Sequence, residues 1–484
     1  MARAAAAPGH PGYRGGVIPA VTSTPQGPMG PAYRLVTIVM IAQVTLVAFE
    51  SMAVTTAMPA VADELDAVRA YGLAFSLFLS AQLLGTVLSG TWTDLRGPLP
   101  ATLVGQAGLA LGSLVAGLAD SFPVLLAGRM IAGLGGGLLV VALYVMIGRA
   151  YPESLRPRVF GWVSAAWVLP AIVGPLLAAW LTEALSWRWV FLVVVPPILV
   201  TTVLTWARRS LVAPPGRTGS GRERRSHRRA ALAGALVAVG AGVLQWGSQH
   251  VEPFEAAPVA VAGVGLVLVV VVAPRLVPPG TLRLARGLPS VTMSRFLLTA
   301  AFNGAITFIP LMLVNERGTS GTVAGVMLTL GSLGWSVGAA LQGRDAFVRD
   351  RFRLLGAGGA SLAVGLLGLA AITGLGLSAW LVPVAATAMG IGMGLAMSTI
   401  SVLGLDLTPV ERHGEVSSSL QLADTLGSAL GVALTGSVFA GMHRSAGADA
   451  GAYTLIWALC AASAGLVVLA GSRARPLGRQ RART

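Results

Sequence analysis

The chain has 484 residues, of which 55% are hydrophobic and only 11% are charged, with a mean hydropathy of +0.76. Soluble domains carry about 25% charged residues, so an ordinary aqueous fold is excluded. The net charge of +15 comes from arginines clustered between apolar runs, a pattern typical of membrane topology that argues against a nucleic-acid partner.

Fourteen apolar segments, bounded by charged or turn residues, follow one another along the chain. A spanning helix needs about 20 mostly apolar residues, and helices are the only plausible element because the alternating pattern of a membrane barrel is absent. The sequence therefore predicts an all-α membrane protein. Its predicted spans are 35–57, 72–93, 100–120, 123–147, 160–183, 188–207, 230–248, 256–274, 289–314, 321–342, 354–375, 378–403, 415–441 and 452–471.

Arginine-rich connections alternate with acidic or nearly neutral ones. Arginines occupy both tails and the connections that follow the second, fourth, sixth, eighth and tenth spans, whereas 404–414 departs from the pattern because Asp406 and Glu411 outweigh Arg412. Short cytoplasmic loops carry an excess of arginine. Both termini are therefore predicted to be cytoplasmic, in a multi-pass protein of the cell (cytoplasmic) membrane.

The same runs predict the domain boundaries. In chain order these are a disordered cytoplasmic tail (1–34), a six-helix bundle (35–207), a basic cytoplasmic linker (208–229), two additional spans (230–274), a second six-helix bundle (289–471) and a basic tail (472–484). The linker contains Pro214-Pro215 and is predicted to be flexible; a surface-bound amphipathic helix is the alternative.

Spans 1 and 4 each contain a charged residue, which is costly inside a membrane and calls for a functional or pairing explanation. Glu50 lies about seven residues from the outer end of span 1, and Arg129 about six from that of span 4. At about 1.5 Å per residue, both lie roughly 10 Å deep and can meet. We predict that Glu50 exchanges protons while Arg129 responds; a static ion pair that organises the bundle is the alternative.

The turn after span 2 and the whole of span 5 carry distinctive small residues. Span 2 ends Gly90-Thr-Trp-Thr-Asp94-Leu-Arg96-Gly97. A functional motif is one interpretation of this stretch, and a polar helix end followed by a turn is the alternative. Close helix approach is the physical use of such glycines. Span 5 places Gly161 nine residues before the run from Pro170 to Gly174-Pro175, and span 4 continues from Arg129 into a series of glycines that ends at Gly137.

The second bundle offers one acidic residue near mid-membrane and one basic residue near its edge. Asp424 lies roughly 15 Å into span 13 from the inside and is predicted to bind protons or a cationic substrate, with a helix-to-helix hydrogen bond as the alternative. Arg295, near the start of span 9, is predicted to snorkel to the interface, with a gate as the alternative.

Four further side chains are candidates for lining a substrate cavity, because aromatic faces bind cations and apolar bodies. Lipid-facing or packing roles are the alternatives for each. The four are Trp167, Phe302, Asn303 and Trp335.

These motifs resemble those of the major facilitator superfamily. The Gly90–Gly97 stretch is similar to the family's cytoplasmic signature, although Leu95 displaces the basic residue, and the glycines of span 4 and span 5 are similar to its fourth-helix and antiporter motifs. Phe49–Pro59 and Ser186–Phe191 resemble its fourteen-helix drug:proton antiporter group. The resemblance implies two six-helix bundles plus two extra helices, a gating role for Gly90, Asp94, Arg96 and Gly97, and bending of span 5 at its Gly-Pro.

The resemblance also implies a function. The chain is expected to export lipophilic or cationic drugs or antibiotics in exchange for protons, by alternating access of the two bundles. A uniporter or importer of a specific metabolite and a non-transporting scaffold or sensor are the alternatives. The expected partners are a small-molecule substrate, protons and the lipid bilayer, with the chain acting as a monomer.

No enzymatic pattern is present in the sequence. The chain has no Lys and therefore no phosphate-binding loop that uses one, which excludes ATP as the energy source. The five histidines lack metal-ligand spacing, and Cys460 is the single cysteine. The sequence therefore predicts no metal, no cofactor and no catalytic residue.

Overall fold

The computed structural model describes residues 27–31, 33–152, 154–209, 221–249, 256–342, 350–409, 412–445 and 447–475. Three predicted regions lie largely or partly outside these residues. They are most of the N-terminal tail, the part of the linker that contains Pro214-Pro215, and most of the C-terminal tail.

Helices make up most of the described part of the first half. Helices α1 to α7 cover Arg34–Glu64, Tyr71–Arg96, Pro98–Gly117, Phe122–Ala150, Arg156–Ala184, Arg188–Leu192 and Val195–Ala207. Helices α6 and α7 make one crossing, interrupted at Val193 and Val194. We call the end of the bundle where α1 begins the tail side and the opposite end the far side.

Two additional helices and a second half complete the chain. The additional helices α8 and α9 cover Gly221–Gln249 and Ala256–Val272. Helices α10 to α16 cover Leu288–Ile306, Ile309–Asn315, Gly321–Gln342, Arg351–Gly374, Val382–Asp406, His413–Met442 and Ala450–Arg473, with α10 and α11 forming one crossing. Within the described residues, thirteen segments have the length and apolar character of membrane spans, and Leu232–Gly247 of α8 is a shorter apolar helix, so the prediction of an all-α membrane fold is confirmed.

The two halves repeat one pattern of neighbours. In the first half α2 packs on α4, α3 on α4 and α7, and α1 on α5. In the second half the corresponding pairs are α12 with α14, α13 with α14 and α16, and α10 with α15. The halves meet along two seams, α2 against α15 and α5 against α12. Internal repeats with an interface between them are typical of secondary transporter folds.

Glycines allow the closest of these contacts. A Cβ on Gly133 would lie 2.3 Å from the carbonyl oxygen of Phe78 on α2, and one on Gly137 would lie 2.1 Å from that of Gln82. In the second half, a Cβ on Gly394 of α14 would lie 2.2 Å from the carbonyl oxygen of Trp335 on α12. Small residues thus bring the backbones together in both halves, as they do at membrane helix interfaces in general.

Some boundaries differ from the sequence prediction. Helix α1 continues through Pro59 to Glu64, seven residues beyond the predicted end at 57, because its last turns are rich in alanine and tolerate a proline that removes one backbone donor. Helix α8 begins at Gly221, inside the predicted linker 208–229, because 221–229 contains no proline and is rich in the helix-forming arginine.

The halves are closed against each other toward the far side. Arg69 Nε donates to the Ala440 carbonyl oxygen at 3.1 Å, and Tyr71 Oη donates to that of Thr307 at 3.0 Å. Glu183, at the far end of α5, accepts hydrogen bonds from Thr322 N at 2.8 Å and Thr322 Oγ1 at 2.6 Å. Each contact joins a residue of the first half to one of the second.

Candidate functional site

Glu50 and Arg129 form a buried ion pair between α1 and α4. Arg129 Nη1 donates to Glu50 Oε1, and the two side chains are 1% and 2% exposed, Arg129 being the more buried. Arg129 Nε also donates to the carbonyl oxygen of Ala74 on α2 at 3.1 Å, and its guanidinium lies 4.1 Å from the ring centroid of Phe78. One arginine therefore links three helices of the first half.

The two partners of this pair are held very differently. Arg129 has a carboxylate, a carbonyl oxygen and an aromatic face, whereas Glu50 Oε2 is buried and has no hydrogen-bond partner among the described residues. A buried ion pair is stable only when both charges remain compensated. Adding a proton to Glu50 would leave Arg129 with a carbonyl oxygen and an aromatic face but without a counter-charge, so the charge of Glu50 determines how strongly α1 and α4 are held together.

A second cluster fixes the far end of α1. Glu64 accepts from Arg188 Nη1 at 2.6 Å and from Trp187 Nε1 at 2.8 Å, and Arg188 Nη2 donates to the Ala119 carbonyl oxygen at 3.2 Å. The guanidinium of Arg188 lies 4.3 Å from the Trp187 ring centroid. The Ser-Trp-Arg-Trp sequence therefore joins α1, α3 and α6, and it fixes the helix that carries Glu50.

The second half contains a further acid–base pair, which the sequence analysis did not predict. Arg295 Nε lies 3.4 Å from Asp424 Oδ1, joining α10 to α15. Arg295 Nη1 also reaches the Met397 carbonyl oxygen at 3.4 Å and Ser401 Oγ at 3.3 Å, both on α14. The prediction that Arg295 snorkels to the interface is therefore wrong, because a nearby carboxylate and a carbonyl oxygen compensate its charge inside the bundle.

This second pair is more open than the first. The side chains of Arg295 and Asp424 are 10% and 20% exposed. Tyr144 of α4, in the other half, interacts electrostatically with both charges. Because the second pair is more exposed, water and small molecules can approach it more readily than they can approach Glu50.

The predicted gating motif is only partly described. Gly97 has a φ of +80°, a conformation that glycine adopts without strain, and it ends α2. Arg96 is exposed, a Cβ on Gly90 would meet no atom within 4 Å, and the side chain of Asp94 lies outside the described residues. The end of α2 is bonded to α4 by Arg149, whose Nη2 donates to the Thr93 carbonyl oxygen at 3.3 Å.

The predicted antiporter-like helix α5 contacts both halves. A Cβ on Gly174 would lie 3.8 Å from Ala53 N of α1, and the Pro175 carbonyl oxygen lies so near α12 that a Cβ on Gly325 would be 2.9 Å from it. Pro170 has no N–H to offer the Ala166 carbonyl oxygen, which instead accepts a long hydrogen bond of 3.5 Å from Thr45 Oγ1. Gly161 is exposed and meets nothing within 4 Å.

The structure describes contacts for each of the four predicted cavity residues. Phe302 and Trp335 meet edge to face, with ring centroids 5.4 Å apart. Asn303 Nδ2 donates to Ser428 Oγ on α15 at 3.0 Å. Trp167 packs against an apolar cluster of the first half. The structure thus brings Phe302 and Trp335 together, and it places Asn303 against α15 and Trp167 against the core of the first half.

Two functional candidates were missed for different reasons. The pairing of Arg295 with Asp424 had a signal in the sequence, because both residues lie roughly 10 to 16 Å from the tail-side ends of their helices at 1.5 Å per residue. The contact of Arg149 with Thr93 had none, because an arginine at the end of a span reads only as a topology signal.

Comparison with known proteins agrees with this architecture. The family model of the Major Facilitator Superfamily matches residues 40–432. An uncharacterized MFS-type transporter of Mycobacterium tuberculosis is 25% identical over 409 residues, which cover 80% of this chain and 56% of that protein. The multidrug transporter protein MdtP of Bacillus subtilis is 22% identical over 407 residues, which cover 81% of this chain and 72% of that protein.

Solved structures show the same fold. A POT family transporter in complex with 5-aminolevulinic acid aligns with a TM-score of 0.67 at 16% identity, covering 90% of this chain and 94% of that one. This chain spans little more than half the length of the M. tuberculosis relative.

Proposed function

This chain belongs to the major facilitator superfamily, and from that premise we propose that it exports lipophilic or cationic small molecules in exchange for protons by alternating access. The observation that carries the proposal is the buried pair of Glu50 and Arg129, in which one carboxylate oxygen has no partner among the described residues. The naming of a Bacillus subtilis relative as a multidrug transporter supports the substrate class.

The pair gives the exchange a physical basis. While Glu50 is ionised, it holds Arg129 and so ties α4 to α1. When Glu50 takes up a proton, the attraction weakens, and Arg129 remains bound to Ala74 and Phe78 of α2. Protonation of Glu50 would therefore loosen one contact among three helices without leaving the guanidinium unsolvated, which suits a group that is charged and discharged in every cycle.

The second pair extends this proposal to the substrate. Asp424 is the more exposed partner, and its Oδ1 lies 3.4 Å from Arg295 Nε. We assign to it the binding of a proton or of a cationic group of the substrate. A cation that binds here must share the carboxylate with Arg295, which lowers its affinity and favours release.

In the proposed orientation, the tail side of the protein faces the cytoplasm. The far side, where Glu183 holds Thr322 and Tyr71 holds Thr307, would then face the exterior, and its closure corresponds to the state that loads substrate from inside. A membrane potential supplies about 2.3 kcal/mol per elementary charge per 100 mV, which can drive the exchange of a proton for an uncharged substrate. The exchange of one proton for a singly charged cation moves no net charge, so the difference in proton concentration must drive it.

The test is flux through the purified protein in proteoliposomes. In vesicles that hold the protein in the inverted orientation, an imposed proton gradient should drive uptake of ethidium, a lipophilic cation. Addition of ethidium should in turn make protons leave the vesicles. Glu50→Gln should reduce this uptake to the level of empty vesicles while the protein still elutes as a folded species, because the amide oxygen can accept from Arg129.

The matched control is Asp63→Asn, which makes the same chemical change on the exposed end of α1. It should pump as the parent does. Uptake by Glu50→Gln equal to that of the parent would remove Glu50 from the mechanism. Uptake by the parent that persists after the proton gradient is collapsed would indicate a uniporter, and the absence of any flux across a panel of compounds would indicate a scaffold or sensor.

A further inference from the structure

The additional helix α8 contacts both halves of the protein, and one of its side chains forms hydrogen bonds to both. Gln245 is fully buried, at 0% exposure. Its Oε1 accepts from Ser80 Oγ on α2 at 3.3 Å, and its Nε2 donates to the Ala429 carbonyl oxygen on α15 at 2.9 Å. These two helices form one of the two seams along which the halves meet. A single amide therefore bridges the seam.

Apolar packing adjoins this bridge on its tail side. Leu83 of α2, Val237 and Ala241 of α8, and Leu422 and Leu426 of α15 belong to one buried cluster. The cluster also includes Val269 and Val272 of α9. The additional helices thus share a core with both halves at the seam, whereas one face of α9 is exposed along most of its length.

The bridge lies near the middle of the seam, since Ala429 is 13 residues, or about 20 Å, from the far-side end of α15. Ser80 is nine residues, or about 14 Å, from the far-side start of α2, and Gln245 is four residues from the far-side end of α8. Arg69 and Tyr71 hold the same two halves together nearer that side. If the first half turned away from α15 on the far side, Gln245 would keep one of its partners and lose the other.

We propose that α8 and α9 act as a clasp on the α2–α15 seam, and that Gln245 is the positioning residue that favours the far-side-closed state. Losing either contact is costly for a buried amide, because hydrocarbon offers no replacement for a lost hydrogen bond. Measured hydrogen bonds between membrane helices predict that each contact changes the open-to-closed ratio by about three- to twentyfold. This proposal goes beyond transport itself and does not need a substrate.

The test measures the distance between the halves on the far side. Spin labels are attached at Leu118→Cys and Leu375→Cys, two exposed residues in far-side connections of opposite halves. The native Cys460 is buried and can stay in place. Pulsed electron paramagnetic resonance on the full-length protein in lipid nanodiscs, without substrate, then gives the populations of short and long distances.

Two substitutions should shift the populations toward long distances by different amounts. Gln245→Met keeps the length of the side chain but removes both hydrogen bonds, and Ser80→Ala removes only the bond to α2. We expect Gln245→Met to raise the open-to-closed ratio more than Ser80→Ala does. The control is Val239→Ala on the exposed face of α8, which should leave the distances unchanged.

Unchanged populations in both variants, or a shift toward shorter distances, would overturn the clasp. Melting temperatures measured on the same samples identify a variant that is merely less stable. Since no flux is measured, a failure of proton exchange in the proteoliposome assay would leave this result standing, and the reverse also holds.

Discussion

Arg129 has three different kinds of contact, whereas Glu50 has one partner and one carboxylate oxygen without a hydrogen bond among the described residues. This asymmetry suits a group that changes charge beside one that does not. Arginine cannot lose its proton in proteins, so any change in the charge of the pair must occur on Glu50. In this pair, therefore, Arg129 stays positively charged and only Glu50 changes its charge.

Removing the cation should be costly, and removing both partners should be much less so. Arg129→Met leaves the buried carboxylate of Glu50 uncompensated, and we expect a loss of about 3–5 kcal/mol in the free energy of unfolding. Adding Glu50→Gln to that variant should recover most of the loss. Unfolding of the single and double variants in detergent measures both effects.

An additive result would contradict this prediction. If the double variant were less stable than Arg129→Met by the full cost of Glu50→Gln alone, the two side chains would not interact in the folded protein.

At this scale the sequence predicted one pair and missed the other. Glu50 and Arg129 were expected to meet because both are charged and both were counted to similar depths, although α1 ends at Glu64 and the count from its end was seven residues short. Arg295 and Asp424 also lie at comparable depths. Depth does not say which way a side chain points around its helix, and that direction depends on packing between segments far apart in sequence.

Helix α4 is the element on which the first half is built, because it packs on α2 and α3 through different glycines. Gly133 and Gly137 face α2, and Gly135 faces α3, where a Cβ would lie 2.4 Å from Leu109 N. The glycine series is thus divided between two neighbours. This arrangement also sets the height of Arg129 against Ala74 and Phe78 of α2.

A methyl group at Gly133 should separate α2 from α4. Gly133→Ala would place a Cβ 2.3 Å from the Phe78 carbonyl oxygen, and overpacking of this kind costs about 1–3 kcal/mol. Gly148→Ala, on the same helix, meets nothing within 4 Å and should cost nothing. Thermal unfolding in detergent should therefore separate the two variants. Equal melting temperatures would show that α2 can move away freely.

The elements themselves were predictable where the signal is local. Long apolar runs locate the spans, since only a helix can cross the membrane core. The interruptions at Val193-Val194 and Thr307-Phe308 were not predicted, because these positions read as parts of continuous apolar runs. The start of α8 at Gly221 was missed because charge was taken as a sign of a linker, although arginine itself favours helix.

The whole molecule is a pair of repeats whose relative position is fixed by contacts at the far side and along two seams. Only the family resemblance could predict which helices pair across the two halves. The local sequence of α2 or α5 does not indicate its partner in the other half. The same holds for α8, which packs on both halves through an apolar cluster and through the buried Gln245. The contact between Glu183 and Thr322 is the most accessible of the far-side contacts and offers a direct test of closure.

A reversible crosslink at that contact should stop transport. In Glu183→Cys/Thr322→Cys, a short bifunctional thiol reagent that a reductant can cleave would hold α5 to α12 on the far side. We expect ethidium flux in proteoliposomes to fall to background after crosslinking and to return after reduction. Each single cysteine variant is the control, since Cys460 is buried. Full flux in completely crosslinked protein would show that this side does not need to open.

The interruption at Thr307 has a consequence for how freely the sequence can vary. Tyr71 donates its hydroxyl to the main-chain oxygen of residue 307, between α10 and α11, and not to the threonine side chain, which bonds to Asn303 within its own segment. Many amino acids at position 307 would present the same oxygen, whereas phenylalanine at position 71 would lose the bond outright. Mutational tolerance across this contact should therefore be one-sided.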